Sequence, residues 1–540
     1  MKNIYLVLLL FANLTQAQLF DTHSLTHADT LRGMLTPVRT CFDVTYYYLN
    51  VKVDVDSQQI EGVNTINFNV LASTDSIQID LFEHYKIKSI VHNDQFLDYT
   101  RDGNAVFVKF KKTLQQGSRQ TIYFSYQGKP NIAKNPPWDG GFTFKKDSSG
   151  MPWVGVSCQG FGASCWWPCK DHQSDEPDSM TIAITCPSNL INVSNGRLRK
   201  KEANQKGYMR YEWFVANPIN TYNVTLNIAN YAHWHDTLDA LTLDYYVLRE
   251  NEVKARKQFE QVKPMLTCFE KYFGKYPWYS DGYKLVETPY LGMEHQSAVA
   301  YGNQYKNGYL GRSLSTSGIG KKFDYIIIHE TAHEWWGNNI TTKDIADMWV
   351  HEGFTVYAEA LYCECLWGYD DYIKYINGMK FNIQNDKPVI GLYDVNTEGS
   401  GDMYNKGAML VHTLRSIFND DEKFLGLLKK IQKDFYHQTV TTKQIEDYFT
   451  KAYGKDLQPV FDQYLRNKSI PKLALQLQDG VVKYRWQCDV AAFNMPVKIK
   501  AADSYVWIEP TTQWQTLKGY SNVDDVKVAT ELFYIKVIKP

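Results

Sequence analysis

Two histidines and three glutamates stand at spacings that suit hydrolysis at a metal. His329 and His333 are four residues apart in Asp324-Tyr325-Ile326-Ile327-Ile328-His329-Glu330-Thr331-Ala332-His333-Glu334-Trp335-Trp336, a stretch without Pro or Gly that reads as a buried helix. On a helix this spacing stacks both imidazoles on one face. Two neutral ring nitrogens can then reach one Zn2+ at about 2.0–2.1 Å. Glu330 directly follows the first histidine, so it projects beside the metal rather than into it. From there it can take a proton from zinc-activated water, the general-base role of the H-E-x-x-H pattern in metalloproteases. A third protein ligand is needed, with the fourth position left for water. Glu352, nineteen residues beyond His333, supplies it from Asp347-Met348-Trp349-Val350-His351-Glu352-Gly353-Phe354, a loop running into a second helix. Glu359 lies two turns further on the same face, placed to accept the far N–H of a ligand histidine. The implied cofactor is one zinc ion per chain.

These residues need a scaffold, and its outline is legible. A chain of 540 residues is too long for one core, so about two to four domains are expected. From about residue 40 to 235 apolar and polar residues alternate on a period of two, as in Tyr46-Tyr47-Tyr48-Leu49-Asn50-Val51-Lys52-Val53, with turn signals such as Asp102-Gly103-Asn104 between the runs. This predicts a large antiparallel β-domain. From Asn251 to Phe273 the spacing becomes helical, and helical patterns dominate until Ser469-Ile470-Pro471. The tail is strand-like again. The expected division is a β-domain over 18–248, a mostly helical domain over 249–470 and a small β-domain over 471–540.

Lys2 and the short apolar run Ile4 to Ala12, ending at Thr15-Gln16-Ala17, read as a secretory signal peptide over 1–17. The run is too short to span a bilayer, and no later segment is apolar enough to anchor the chain. The expected location is therefore secreted or periplasmic. Export permits disulfides, and nine cysteines leave at least one unpaired within the chain. Cys363 and Cys365 lie two apart on an expected helix and so cannot face each other. With 58 Lys+Arg against 59 Asp+Glu, the charge balance argues against a nucleic-acid partner.

The pattern His329-Glu330-x2-His333-x18-Glu352, with Trp336-Gly337-Asn338 and Trp349-x2-Glu352-Gly353, resembles the aminopeptidase N family of gluzincin metallopeptidases. Leu291-Gly292-Met293-Glu294-His295 is similar to that family's exopeptidase motif G-x-M-E-N, and Tyr404-Asn405-Lys406-Gly407 to its Y-x-K-G segment. Cys158-Gln159, Trp167-Pro168-Cys169 and Asp175-Glu176-Pro177 resemble the late part of its N-terminal β-domain. The likeness runs in the family's order over about residues 40–470. It implies a thermolysin-like catalytic domain and peptide substrates with a free N-terminus. Glu294, aided by Gln159, would pair with the substrate ammonium. The backbone around Gly292 and Met293 would hydrogen-bond the substrate as an added strand, and the phenol of Tyr404 would stabilise the oxyanion. Leu291 and His295 depart from the motif. The large helical C-terminal domain of the family is not expected; residues 471–540 resemble the small β-domain some members carry there. A thermolysin-like endopeptidase shares the zinc site, but a fixed carboxylate at Glu294 blocks the upstream part of a long substrate. A lipid-epoxide hydrolase would require that helical domain, and a binding protein without activity would not keep every catalytic residue.

Overall fold

The computed structural model describes residues 25–204, 207–501 and 504–539; the expected leader, 1–17, lies outside them. Alternation builds the N-terminal half. Phe42–Asp54 pairs antiparallel with Gln59–Val70 and parallel with Ser179–Pro187, within an eight-stranded sheet. Leu49, Val51 and Val53 are fully buried, as a period of two requires of one face. They share a core with Trp166 and Trp167. In a neighbouring four-stranded sheet, Pro152–Ser157 lies between Leu226–Ala229 and Gly141–Lys146. The end of that strand delivers Gln159 to the helical half.

The helical half opens on a sheet. Tyr231–Leu238 pairs with Leu241–Leu248, which runs parallel to Tyr283–Glu287. This five-stranded sheet therefore straddles the division expected at 248/249. Local periodicity identifies a strand but not its partner, because pairing is a long-range contact. The far edge of the sheet is the short strand Gly292–Met293, antiparallel to Val299–Tyr301. The helical run from Asn251 resolves into Glu252–Gln258 and Val262–Phe273, joined by a tighter turn at Phe259–Gln261.

Three helices carry the site. The histidine helix is Tyr325–Ala332, capped by Asp324, whose carboxylate accepts from the N–H groups of Ile326 and Ile327. Gln258, Tyr301 and Asn303 also donate to that carboxylate. The helix is shorter than the stretch 324–336 that the sequence suggests, and Gly337 at φ 132° turns the chain away beyond it. His333 nonetheless keeps helical angles, φ −61° and ψ −20°, so the one-turn offset survives. The glutamate helix, Trp349–Trp367, begins where a loop was expected. Glu352 therefore sits in its first turn, where the exposed N–H groups favour a carboxylate. The tyrosine helix, Asn405–Phe418, follows directly on Tyr404.

The glutamate and tyrosine helices touch backbone to backbone. A Cβ built on Gly353 or on Gly407 would lie 2.9 Å from the other residue's Cα. Only a glycine pair allows that approach; a larger residue at either position would force apart the helices that bring Tyr404 to Glu352. A disulfide between Cys268 and Cys365, with Cα atoms 6.0 Å apart, ties Val262–Phe273 to the glutamate helix. Cys363 stays a buried thiol. Beyond the last helical turns, Lys472–Gln478 and Val481–Gln487 form an antiparallel pair joined by Lys536–Ile538. Their Leu473, Leu475 and Trp486 share one core with the helices. Among the described residues no helix is long and apolar enough to cross a membrane.

Candidate active site

His329 Nδ1 donates to Glu359 Oε1 at 2.6 Å, and Glu359 also accepts the Tyr375 hydroxyl at 2.5 Å. His333 Nδ1 donates to the carbonyl of Trp336 at 2.9 Å. With both Nδ1 atoms used as donors, both Nε2 lone pairs are left for a ligand. The Nε2 atoms stand 3.4 Å apart, and Glu352 Oε2 lies 3.5 Å from that of His329 and 3.4 Å from that of His333. Ligands of a tetrahedral zinc held at about 2.0–2.1 Å are separated by about 3.3–3.4 Å. The three atoms already stand at such edges. Glu352 Oε2 is buried without a hydrogen-bond partner, an arrangement proteins avoid unless a cation meets the oxygen. The residues fit one zinc ion. Burial works against charge on His333, while Glu352 favours a positive charge at its Nε2, which a bound cation would supply in place of a proton. Burial would likewise raise Glu352, but His333 and His329 hold it well below the usual carboxylate range.

Glu330 stands outside this triangle. A Cβ on Gly292 would sit 2.6 Å from Glu330 Oε1, so the motif glycine lets the edge strand lie directly against the carboxylate. Burial pushes Glu330 up to about 7, with His329 and His333 opposing and Glu294 and Glu352 adding to it. Glu294 is buried, and its Oε1 accepts from Gln159 Nε2 at 2.6 Å and from the Tyr222 hydroxyl at 3.1 Å. Ligand-capable atoms of Glu294, Glu330 and His333 all lie within 4.8 Å of one another. Asn338 Nδ2 donates to the Glu294 carbonyl at 2.9 Å and to Glu334 at 3.1 Å. The Asn of Trp336-Gly337-Asn338 thus fixes the backbone that carries Glu294. The Tyr404 ring stacks near His329, centroids 6.2 Å apart. Burial first, then the carboxylates of Glu352, Glu398, Glu294 and Glu330, raise its phenol well above the usual range, so it remains an O–H donor.

The residues singled out from the sequence, Gln159, Gly292, Met293, Glu294, His329, Glu330, His333, Glu352, Glu359 and Tyr404, meet at this junction. Met293 buries its side chain in the core it shares with the β-domain. Sequence reasoning missed Tyr222 and Glu398. Tyr222 is one tyrosine among 38, in a short turn capped by Asn220, and nothing local marks it. His295 is buried with both ring nitrogens lacking a partner among the described residues, and burial lowers its pKa to about 3. The ring that replaces the motif's Asn is therefore neutral.

Comparison with known proteins bears on the fold and the family. The description "Peptidase M1 N-terminal domain" matches residues 44–223, and "Peptidase family M1 domain" matches 257–464. The glutamyl aminopeptidase of Rattus norvegicus is 22% identical over 378 residues, covering 66% of this chain and 38% of that protein. The leucyl aminopeptidase of Saccharolobus solfataricus is 21% identical, covering 57% of this chain and 40% of its own. The chain thus spans about two fifths of the length of these relatives. An M1 zinc metallopeptidase variant from Deinococcus radiodurans, solved with a Tyr-Ser-Ala substrate, shares the fold with a TM-score of 0.64 at 20% identity, over 79% of this chain and 95% of that one. Both domains are matched in the family's own order, and together the matches take in most of the chain: it belongs to peptidase family M1, the aminopeptidase N family of gluzincin metallopeptidases.

Proposed function

We propose that this chain is a secreted zinc aminopeptidase that hydrolyses the N-terminal peptide bond of peptides. The observation that carries the reading is Glu294. Its buried carboxylate, held by Gln159 and Tyr222, stands within 4.8 Å of Glu330 and His333, which leaves the depth of one amino acid between an ammonium site and the reacting centre. A zinc ion held by His329, His333 and Glu352 would supply Lewis acidity to the scissile carbonyl and the attacking water. Glu294 binds the substrate ammonium. Gln159, its amide donor engaged by Glu294, offers its carbonyl oxygen to the same cation. The backbone of Gly292 and Met293 aligns the peptide as an extra strand on the sheet edge. Glu330 takes the proton of the attacking water and returns it to the leaving amine, while the Tyr404 hydroxyl donates to the developing oxyanion.

The expected result is a strong preference for an unblocked N-terminus. A charge-assisted contact is worth about 1.5–3 kcal/mol, so Glu294→Ala should lower kcat/KM on a free peptide by about tenfold to a hundredfold. Acetylating the peptide removes the cation and presses bulk against the carboxylate; the wild type should barely cleave it, and the variant should narrow the gap. Equal cleavage of free and acetylated peptide by the wild type would sink the aminopeptidase reading and leave a zinc endopeptidase. Secretion is supported by the leader-like residues 1–17 and by the Cys268–Cys365 disulfide, a bond suited to an oxidising compartment. The mature chain should begin at Gln18; an exported protein whose intact mass still includes residues 1–17 would refute cleavage there.

A further inference from the structure

Glu398 is a carboxylate at the site that no step above uses. Its Oε1 lies 3.7 Å from the position a Cβ on Gly160 would take, beside Gln159. It also belongs to the group of carboxylates acting on the Tyr404 phenol. It is partly exposed, and neither side-chain oxygen makes a hydrogen bond or ion pair with a described residue. Arg32 acts on it from a distance but spends its guanidinium elsewhere, on the carbonyls of Gly160 at 2.7 Å and Phe161 at 2.6 Å and beside Asp171 at 3.5 Å. Burial, Glu352 and Glu294 push the Glu398 carboxyl up, against Lys387 and Arg32, to about 7. An added cation would relieve that.

The position is built rather than loose. Gly399, the next residue, backs onto Val389 so closely that a Cβ would lie 1.8 Å from its carbonyl oxygen, and a Cβ on Gly391 would lie 2.7 Å from the carbonyl of Thr397. The N–H groups of Ser400 and Asn396 bond to Pro388 and Asp29 at 2.9 and 3.0 Å. A substrate with its ammonium on Glu294 and its scissile carbonyl at the zinc ligands has its first Cα between them. The first side chain leaves that Cα away from both; Glu398, set against Gly160 and acting on Tyr404, is the unpaired acid of this junction left for it to meet.

We infer that Glu398 selects substrates whose first residue carries a cationic side chain, Lys or Arg. This rests on the aminopeptidase reading and names its substrate class. A cation meeting an unpaired, partly buried carboxylate forms a charge-assisted contact, whereas an uncharged chain of the same length leaves that carboxylate desolvated and alone.

The test uses the zinc-loaded enzyme and amides of lysine, arginine and norleucine with one fluorescent leaving group. Norleucine matches the lysine chain without its charge. The wild type should cleave the lysine amide with kcat/KM about tenfold to a hundredfold above the norleucine amide, and Glu398→Gln should bring that ratio close to one. The wild-type comparison requires no variant to fold. Norleucine cleaved as well as lysine by the wild type would overturn the inference while leaving an aminopeptidase. A variant slowed equally on both would overturn it too, assigning Glu398 a positioning role. Failure to cleave any free amino-acid amide would remove the reading beneath it.

Discussion

Glu330→Gln should keep its full zinc content and lose about 10²–10⁴-fold in turnover. Glutamine has the shape of glutamate, and Glu330 stands outside the triangle of His329 Nε2, His333 Nε2 and Glu352 Oε2, so the metal ligands are untouched. What the amide lacks is a basic oxygen to receive the proton of the attacking water. The loss corresponds to about 2.7–5.4 kcal/mol of transition-state stabilisation, at 1.36 kcal/mol per factor of ten. Glu294, Gln159 and the edge strand at Gly292 remain in place to bind substrate, so the effect should fall on kcat and hardly on KM. Elemental analysis together with steady-state rates on one free peptide checks it. Near-normal turnover would show that another group takes the proton, and loss of zinc alongside activity would make Glu330 a ligand.

Removal of the metal should have the second large effect. A chelator is expected to abolish activity and stoichiometric zinc to restore it, with one ion bound per chain. His333→Ala removes one of three protein ligands and should leave the protein without zinc. It also leaves the buried Glu352 carboxylate with neither the ion nor His333 beside it, and an uncompensated buried charge costs about 3–5 kcal/mol, so the melting temperature should fall as well. Chelation of the wild type separates the two consequences, because it removes the ion and leaves every side chain present. Full activity in metal-free protein, or in His333→Ala, would end the assignment of these residues to zinc.

How far the amino-acid order alone determined this protein depends on the range of each interaction. His329 and His333 were legible because one turn of helix is a local fact, and Glu330 followed from its place beside them. The alternation of Tyr46 to Val53 announced a strand, and Ser469-Ile470-Pro471 marked where helices stop. Element ends were less legible. The histidine helix stops at Ala332 because Gly337 turns the chain onto Ile340 and Asn338 reaches back to His333. The glutamate helix starts before Glu352, although Met348 has no side-chain cap to signal it.

Contacts between distant segments were decided only in three dimensions. Periodicity did not reveal that Leu241–Leu248 pairs with Tyr283–Glu287, because a strand's own pattern carries no address for its partner. Nor did it show that Tyr222, 72 residues from Glu294, donates to that carboxylate. Gly353 and Gly407 were recognisable as parts of two motifs, yet their reason for being glycine appears only where the helices come so close that an added Cβ would lie 2.9 Å from the facing Cα. Nothing local marks Glu398; only the fold sets it against Gly160, its carboxylate without a hydrogen-bond partner among the described residues. Sequence named the groups whose chemistry is set by their immediate neighbours. Tertiary packing chose the rest, because burial, desolvation and the distance between charges belong to the folded chain and not to any stretch of it.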